Sequence, residues 1–297
     1  MPLQKIQGHT YYYPNSTNIG VLRSKSGLSL LIDAGIDSSA GRGLAQALDA
    51  EGLKAKYVVL THAHPDHFGA VKWLKEQFTG LIRYASEGEA LWMMHPHLES
   101  QAMYGATPLK ELENRFLKGP KIEIDEFLKP GVTEIGDKRL EIFPLPGHTY
   151  DQLGVLTGDS VLFAGDSLFS EEIMLKYGFP FLLDIERQLE TIERIRKIEA
   201  DYVVLSHADQ VYSSIYDLCD QNKSRIEDFL EKILKLCDQP MTREDVTEQI
   251  LLATGMEVDV SRYQMTFATV GAFISYLANG ELIAKSIIGG KCYFYRE

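Results

Sequence analysis

THAHPDHFG, residues 61–69, places His62, His64, Asp66 and His67 within six residues. Imidazole and carboxylate donors at this density point to metal rather than to a surface loop that happens to be rich in histidine. Histidines two apart in an extended loop project to one side and bind one cation through neutral rings, while Asp66 and His67 can serve an adjacent one. The run follows KAKYVVL, a short buried-strand pattern, and precedes the amphipathic VKWLKEQF, so the local order is strand, histidine loop, helix.

The 297 residues, 45% hydrophobic and 24% charged, have ordinary globular composition, which excludes disordered and fibrous classes. No apolar run approaches the roughly 18 to 20 residues of a membrane span, and the opening MPLQKIQGHTYYYP lacks the continuous apolar stretch of a secretory signal. The expectation is a soluble, cytoplasmic protein that does not engage membranes. Thirty basic against 42 acidic residues give a net charge of −12, which opposes attraction to phosphate backbones and disfavours nucleic acid as a partner. Cys219, Cys237 and Cys292 are odd in number and widely spaced, without a CxxC pattern, so reduced thiols are expected.

Outward from the histidine loop, HTYYYPNSTNIGVLRS and GLSLLIDAG read as strands, GRGLAQALDAEGL as a helix, residues 86–130 as a two-helix excursion, and residues 132–166 as returning strands. DIERQLETIERIRKIEA is a charged amphipathic helix, and DYVVLSHAD delivers another histidine from a strand end. YVVLTHA (57–63) and YVVLSHA (202–208) share six of seven residues at an offset of 145. Duplication of a half-unit and convergence on one buried-strand pattern both remain open. Composition shifts after residue 222: three helical segments, the second opened by a Thr242 to Asp245 capping pattern, precede a hairpin turning at Gly289 and Gly290. The expected division is a catalytic domain, 1–222, and a small winged-helix-like domain, 223–297.

His148 in PLPGHTYD, Asp166 in FAGDSLF and His207 in LSHAD each follow a strand, within a turn. With the loop they make five imidazoles and two carboxylates, a set that suits two divalent cations sharing one carboxylate and one water-derived hydroxide. This order, HxHxDH and then single His, Asp and His, resembles the metallo-β-lactamase superfamily over roughly residues 8–215. The resemblance implies an α+β fold, the αββα sandwich, with the site at one edge of two packed sheets. It implies that His62, His64 and His148 hold a first metal and Asp66, His67 and His207 a second, with Asp166 bridging. Asp66 is also the candidate catalytic residue, and Asp33 in LLIDAG corresponds to the family's buried supporting carboxylate. Zinc is the expected metal, with manganese or iron also suited to a His and Asp set.

PGHTYDQLG through LFAGDSLF looks most like the glyoxalase II and lactonase side of the superfamily, which implies hydrolysis of a small ester, thioester or lactone. Antibiotic hydrolysis is not expected, because class B enzymes often carry Cys where this chain has Asp166. Flavodiiron proteins replace the residue matching His64 by Glu, and only 40 residues separate Asp166 from His207, too few for the large insert of the β-CASP nucleases. Phe169 stands where lactonases often have Tyr, and the tail resembles that of the lactamase-like protein 2 group rather than the glutathione-binding domain of glyoxalase II. An endoribonuclease and a mononuclear iron persulfide dioxygenase are the alternatives. Against nucleic acid, residues 223–297 hold nine basic and eleven acidic side chains, and Thr266 to Gly280 carries no charge. A small-molecule substrate is expected, with the tail capping the pocket or forming a homodimer contact. The apolar face of Phe267, Val270, Phe273, Ile274 and Leu277 suits either role or simple core packing.

Three further features stay open to more than one reading. Phe169, Met174, Leu175, Tyr177, Phe179 and Phe181 form a hydrophobic lid or pack on a neighbouring helix; His95 and His97 line the entrance or bind another metal, or simply form a turn; Tyr150 and Asp151 contact substrate or shape a turn.

Overall fold

The computed structural model describes all residues except Phe179, Met256 and the side chain of Tyr177. Phe179 and the Tyr177 ring, both in the expected lid, therefore lie outside the described residues. Among the described residues, one sheet has seven strands in sequential order: β1 (Gln4–Gln7), β2 (Thr10–Tyr13), β3 (Ile19–Arg23), β4 (Leu28–Ile32), β5 (Lys54–Val59), β6 (Ile82–Ala85) and β7 (Glu126–Phe127). The first four are antiparallel neighbours, and β4 through β7 run parallel. The second sheet contains β8 (Gly131–Ile135), β9 (Lys138–Pro144), β10 (Leu153–Thr157), β11 (Val161–Phe163), β12 (Tyr202–Val204) and β13 (Val211–Tyr212), antiparallel except for the β11 and β12 pair.

Alternation along the strands divides the core into layers. Tyr12, Leu30, Ile32 and Val59 from the first sheet pack against Leu140, Ile142, Val155 and Phe163 from the second, so the two sheets face each other. The outer face of the first sheet, with Val21, Leu31, Val58 and Leu60, is covered by α1 (Ser38–Ala50), α2 (Pro65–Phe68), α3 (Val71–Gln77) and α4 (Glu87–Met94). The outer face of the second, with Leu162, Val203 and Leu205, is covered by α7 (Ile185–Ile195) and α8 (Tyr216–Leu236). The result is a helix, sheet, sheet, helix sandwich, in agreement with the α+β expectation.

The two similar heptapeptides occupy equivalent places. In the first sheet β4 leads directly into Asp33, and the chain crosses through α1 and returns as parallel β5, which His62 follows by three residues. In the second, Asp166 follows β11 by three residues, and the chain crosses through α7 and returns as parallel β12, which His207 follows by three residues. Both crossovers deliver their polar residues at the carboxyl ends of the strands, so the two sheets present them along one edge.

The excursion at 86–130 contains α4, α5 (His97–Tyr104), a 3-10 turn at Lys110–Leu112, and β7. Between Asp166 and α7 lies a short helix, α6 (Glu171–Tyr177); the Ser170 hydroxyl accepts from Ile173 N and caps it. After α8 come α9 (Arg243–Thr254), opened by the expected Thr242 and Asp245 capping box, α10 (Val260–Asn279) and the hairpin β14 (Ala284–Ile288) with β15 (Lys291–Tyr295). Helix α10 begins earlier than its apolar run, because Asp259 accepts from Arg262 N at 2.7 Å and starts it. Val270, Phe273, Ile274 and Leu277 of α10 are buried in the same core as α7 and α8, and Phe267 is covered by the Arg243 guanidinium, 3.7 Å from its ring centre. The amino-terminal half of α10 reaches across the excursion, where Asn114 donates to the Ser261 hydroxyl and Gln264 to Met103 O. No helix among the described residues is long and apolar enough to cross a membrane.

The histidine loop is pressed against the turn after β4. His67 O accepts from Ala34 N at 2.7 Å, and Gly35 O from Ala70 N at 2.9 Å. A Cβ on Gly69 would stand 1.9 Å from Ile36 O, a backbone atom that cannot yield without moving the turn. Gly69→Ala is therefore expected to destabilise the chain by about 3 kcal/mol, the upper end of overpacking costs. A thermal melt unchanged from that of the parent chain would show that the turn and loop are not locked together.

Candidate metal centre

All seven side chains singled out in the sequence meet at the shared edge of the two sheets. His62 Nε2 and His148 Nε2 lie 3.1 and 2.8 Å from His64 Nδ1, which forms one group of facing nitrogens. Asp66, His67 and His207 form a second: Asp66 Oδ2 is 3.1 Å from His207 Nε2 and 3.7 Å from His67 Nε2. Asp166 stands between them, with Oδ2 3.5 Å from His148 Nε2 and 3.4 Å from His207 Nε2, and Oδ1 3.4 Å from His67 Nε2. In each of the triads His62, His64, His148; His62, His67, Asp166; and Asp66, His67, His207, the donor atoms lie within 4.8 Å of one another.

The outer nitrogen of each ring determines what the inner one offers. His67 Nδ1 donates to Asp33 at 2.8 Å, His148 Nδ1 to Phe181 O at 2.8 Å and His207 Nδ1 to Ser16 O at 2.7 Å. The Thr61 hydroxyl gives its single proton to Asp33, so it accepts from His62 Nδ1 at 3.0 Å. His64 turns Nε2 toward Glu99 at 3.6 Å. With the outer nitrogens protonated, each of the five rings in its neutral form directs a lone pair at one volume, and imidazole lone pairs have no use for one another. His67 Nε2 is buried and makes no hydrogen bond. A divalent cation is the partner that would satisfy this donor set, so the residues present fit the group.

The electrostatics divide along the same line. Burial, reinforced by neighbouring imidazoles, holds His62 far below the ordinary histidine range and brings His64 down to about 3; burial also lowers His148. Burial works the other way in the second group, but charge outweighs it. Asp66, Asp33 and Asp166 raise His67 to about 10, and Asp166 with Asp66 raises His207 well above its usual value. The same pairs overcome the burial penalty on Asp66 and Asp166 and leave both carboxyls well ionised. Without a cation the first group is a set of neutral rings, and the second a compact cluster of carboxylates and imidazolium ions.

Asp33, expected as the supporting carboxylate, is buried with φ 64°, a left-handed conformation in which a non-glycine residue is uncommon. It accepts from Thr61 N, the Thr61 hydroxyl and His67 Nδ1. Phe169 and Phe181 of the expected lid stand at the site: the Phe181 ring lies 5.7 Å from His64 and 5.9 Å from His148, and Phe169 lies 5.8 Å from His148. Met174 is buried in the core and Leu175 faces solvent. His95 ends α4 and His97 begins α5, their rings 6.1 Å apart, outside the triads above. Tyr150 is exposed beneath the Arg187 guanidinium, whereas Asp151 accepts from Gly88 N and so binds the His148 loop to α4.

Several residues at the site were not anticipated. Asn18 donates to Leu205 O and Ala208 O on either side of His207, and Gln152 accepts from Asp166 N while donating to Ser167. Glu89 and Glu99 come from α4 and α5; burial raises both carboxyls, Glu99 strongly. Lone polar residues inside helical patterns carry no distinguishing signal in sequence. Gln152, four residues after His148 in PGHTYDQLG, sat within a segment already singled out for a candidate ligand.

These shifts define a pH profile for the metal-free chain. Below about pH 6.5 the unfolded chain protonates His62, His64 and His148 and the folded chain does not, so stability falls on acidification; still lower, loss of the Asp66 and Asp166 charges removes more. Above about pH 6.5 the folded chain keeps protons on His67 and His207 that the unfolded chain releases, so their contribution is lost as pH rises toward 10. Melting temperature in excess chelator should therefore peak near neutrality. A steady rise from pH 5 to pH 9 would contradict this division of charge.

Known proteins share this fold. A solved metallo-beta-lactamase family protein of Thermus thermophilus superposes with a TM-score of 0.77 at 21% identity, covering 97% of this chain and 99% of that one. Among curated relatives, a hydroxyacylglutathione hydrolase of Rhodopseudomonas palustris is 28% identical over 138 residues, 46% of this chain and 43% of its own length. A second such hydrolase of the same species is 26% identical over 57% of this chain and 54% of its own length, so the chain spans about half the length of these curated relatives. The family description Metallo-beta-lactamase superfamily matches residues 12–207, which contain all seven clustered side chains. The chain belongs to the metallo-beta-lactamase superfamily.

Proposed function

We propose that the chain is a dinuclear metal-dependent hydrolase of a small ester, thioester or lactone. In this reading His62, His64 and His148 hold one divalent ion and Asp66, His67 and His207 the other, with Asp166 shared. The observation that carries it is the position of the Asp166 carboxylate, within 3.5 Å of a nitrogen from each group. Zinc is the expected metal; manganese and iron suit the same donors. When bound, the ions supply an activated water and polarise the carbonyl under attack.

The protein's own contribution is preorganisation. The Asp33, Thr61, Phe181 and Ser16 acceptors fix four rings with the inner nitrogen aimed at the cluster, so no ring must turn to bind a cation, and of these four only His67 and His207 have an inner proton to release. Asp66 is the more exposed of the two clustered carboxylates and accepts from the Thr17 hydroxyl at 3.1 Å, which holds one oxygen while the carboxylate remains open to solvent. Ionised and open to solvent, it is the candidate catalytic residue, placed to orient an attacking water by accepting its hydrogen bond. Phe169 and Phe181 give the His64 and His148 side an apolar wall, suited to the acyl part of a substrate. The names of the hydroxyacylglutathione hydrolase relatives favour a thioester within this class.

Residues 1–222 form the catalytic part in this proposal and 223–297 a winged-helix-like tail. Three helices followed by a hairpin support that description, and α10 acts as a cap, since Thr269 accepts from Leu182 N beside the aromatic wall. The substrate is a small molecule, and the protein works in the cytoplasm with its thiols reduced. The tail is no reader of nucleic acid, because the apolar face of α10 is turned into the core and Thr266 to Gly280 carries no charge. Gel-shift titration at low salt should accordingly show no tail-dependent binding of RNA or DNA; salt-sensitive binding lost with the tail would favour a ribonuclease instead.

Elemental analysis should find close to two transition-metal ions per chain, and a screen of esters, thioesters and lactones should find turnover. Asp166→Ala and His148→Ala should each reduce it on the order of 1000-fold, with circular dichroism unchanged. Activity saturating at one ion would favour the mononuclear dioxygenase, and near-normal turnover by either variant at matched metal loading would remove that residue from the mechanism.

A further inference from the structure

We propose that Glu89 is the positioning residue of the His62, His64 and His148 site, setting the separation of the two loops that supply it; this rests on the metal-binding reading of that site. Glu89 lies in the first turn of α4 and is 1% exposed. Its carboxylate accepts three hydrogen bonds and meets no cation in them. Oε2 accepts from Ala63 N at 2.8 Å, and Oε1 accepts from the Thr149 hydroxyl at 2.7 Å and from Asp151 N at 2.9 Å.

The identity of the donors gives this contact its meaning. Ala63 is the residue between His62 and His64, and Thr149 is the residue after His148. The first pair follows β5 in one sheet and His148 follows β9 in the other, so one side chain spans both sheets at the point where three ligands must converge. The helix that carries Glu89 is itself fastened to the second loop: Asp151 accepts from Gly88 N at 3.0 Å, and Ser86 donates to Asp151 O at 2.8 Å. A Cβ on Gly88 would stand 2.7 Å from Asp151 Cβ, so helix and loop approach as closely as their backbones permit. Glu89 is thus held on a short rigid path, and the distance between its two oxygens is imposed on the two loops.

The second group has separate supports. Asp33 holds His67, Ser16 O holds His207, Gln152 holds the Asp166 backbone and Thr17 holds Asp66. Asp33 and Glu89 are two buried carboxylates with different tasks: Asp33 orients His67 and, through Thr61, His62, whereas Glu89 joins the loop of His62 and His64 to the loop of His148. A carboxylate suits the position because all three partners are donors. Glutamine keeps the volume but turns an amide NH2 toward one of them, which breaks a bond and leaves a buried donor unpaired.

The two roles separate in backgrounds that keep one group each. His207→Ala retains the first group and His64→Ala the second; zinc affinity is read in each by competition with a chromophoric chelator. Adding Glu89→Gln should weaken zinc about 10- to 100-fold in the His207→Ala chain and change it by less than about twofold in the His64→Ala chain. A general loss of stability would weaken both, and equal weakening, or no weakening in the first, overturns the proposal. Thr149→Val removes one of the three bonds and leaves Glu89 in place. It should give a smaller loss confined to the same background, and it decides the matter if Glu89→Gln does not fold. The readout is binding alone. A chain that binds two ions but cleaves no ester leaves this proposal standing, while a working hydrolase whose Glu89→Gln variant holds both ions normally overturns it by itself.

Discussion

The Asp33 carboxylate, buried at the end of β4 in a left-handed backbone conformation, holds the site together. It accepts from the Thr61 amide and hydroxyl and from His67 Nδ1, so it fixes both ends of the histidine loop at once. The Thr61 hydroxyl, its proton committed to Asp33, then accepts from His62, and the orientation of a second ring follows from the first contact. A buried carboxylate is costly to leave unpaired, and a non-glycine residue at positive φ is strained. Both costs are offset by the hydrogen bonds that Asp33 accepts from the histidine loop.

The same economy of form extends across the molecule. Two crossovers, each a strand followed by an aspartate, a helix, and a parallel strand followed by a histidine, bring Asp33 with His62 and Asp166 with His207 to one edge. The sheets pack face to face through apolar side chains, and their carboxyl ends are left open, where irregular backbone can carry polar groups without breaking a ladder. Crowding five rings and two carboxylates there separates them electrostatically. Rings surrounded mainly by other rings stay neutral, and rings between carboxylates hold their protons.

The excursion at 86–130 and the C-terminal helices enclose this edge from opposite ends of the chain. Helix α4 reaches both histidine-bearing loops through Glu89, α5 brings Glu99 toward His64, and α10 closes over α5 and the segment that carries Phe181. Helix α8 runs without interruption across residue 222, and buried Asn222 exchanges hydrogen bonds with the Phe169 backbone, so the segment after Asp166 and the tail rest on one another.

The sequence by itself determined the strand ends, the order HxHxDH, His, Asp, His and the side chains that would meet, because strand periodicity and donor density are local properties that need no partner to be read. It also carried Asp33, since an aliphatic run ending in Asp-Ala-Gly marks a strand terminus. Only the tertiary structure decided which nitrogen of each ring turns inward, for that depends on acceptors such as Phe181 O and Ser16 O, 33 and 191 residues away along the chain. It alone revealed Glu89, Asn18 and Gln152 as hydrogen-bond partners of the segments that carry the clustered side chains. It also showed that α6 is a helix and that α10 packs across the excursion. A glutamate within a helical pattern reads as a solvated face. Its burial against two loops from different sheets is a long-range fact, set by packing and invisible to any window of neighbouring residues.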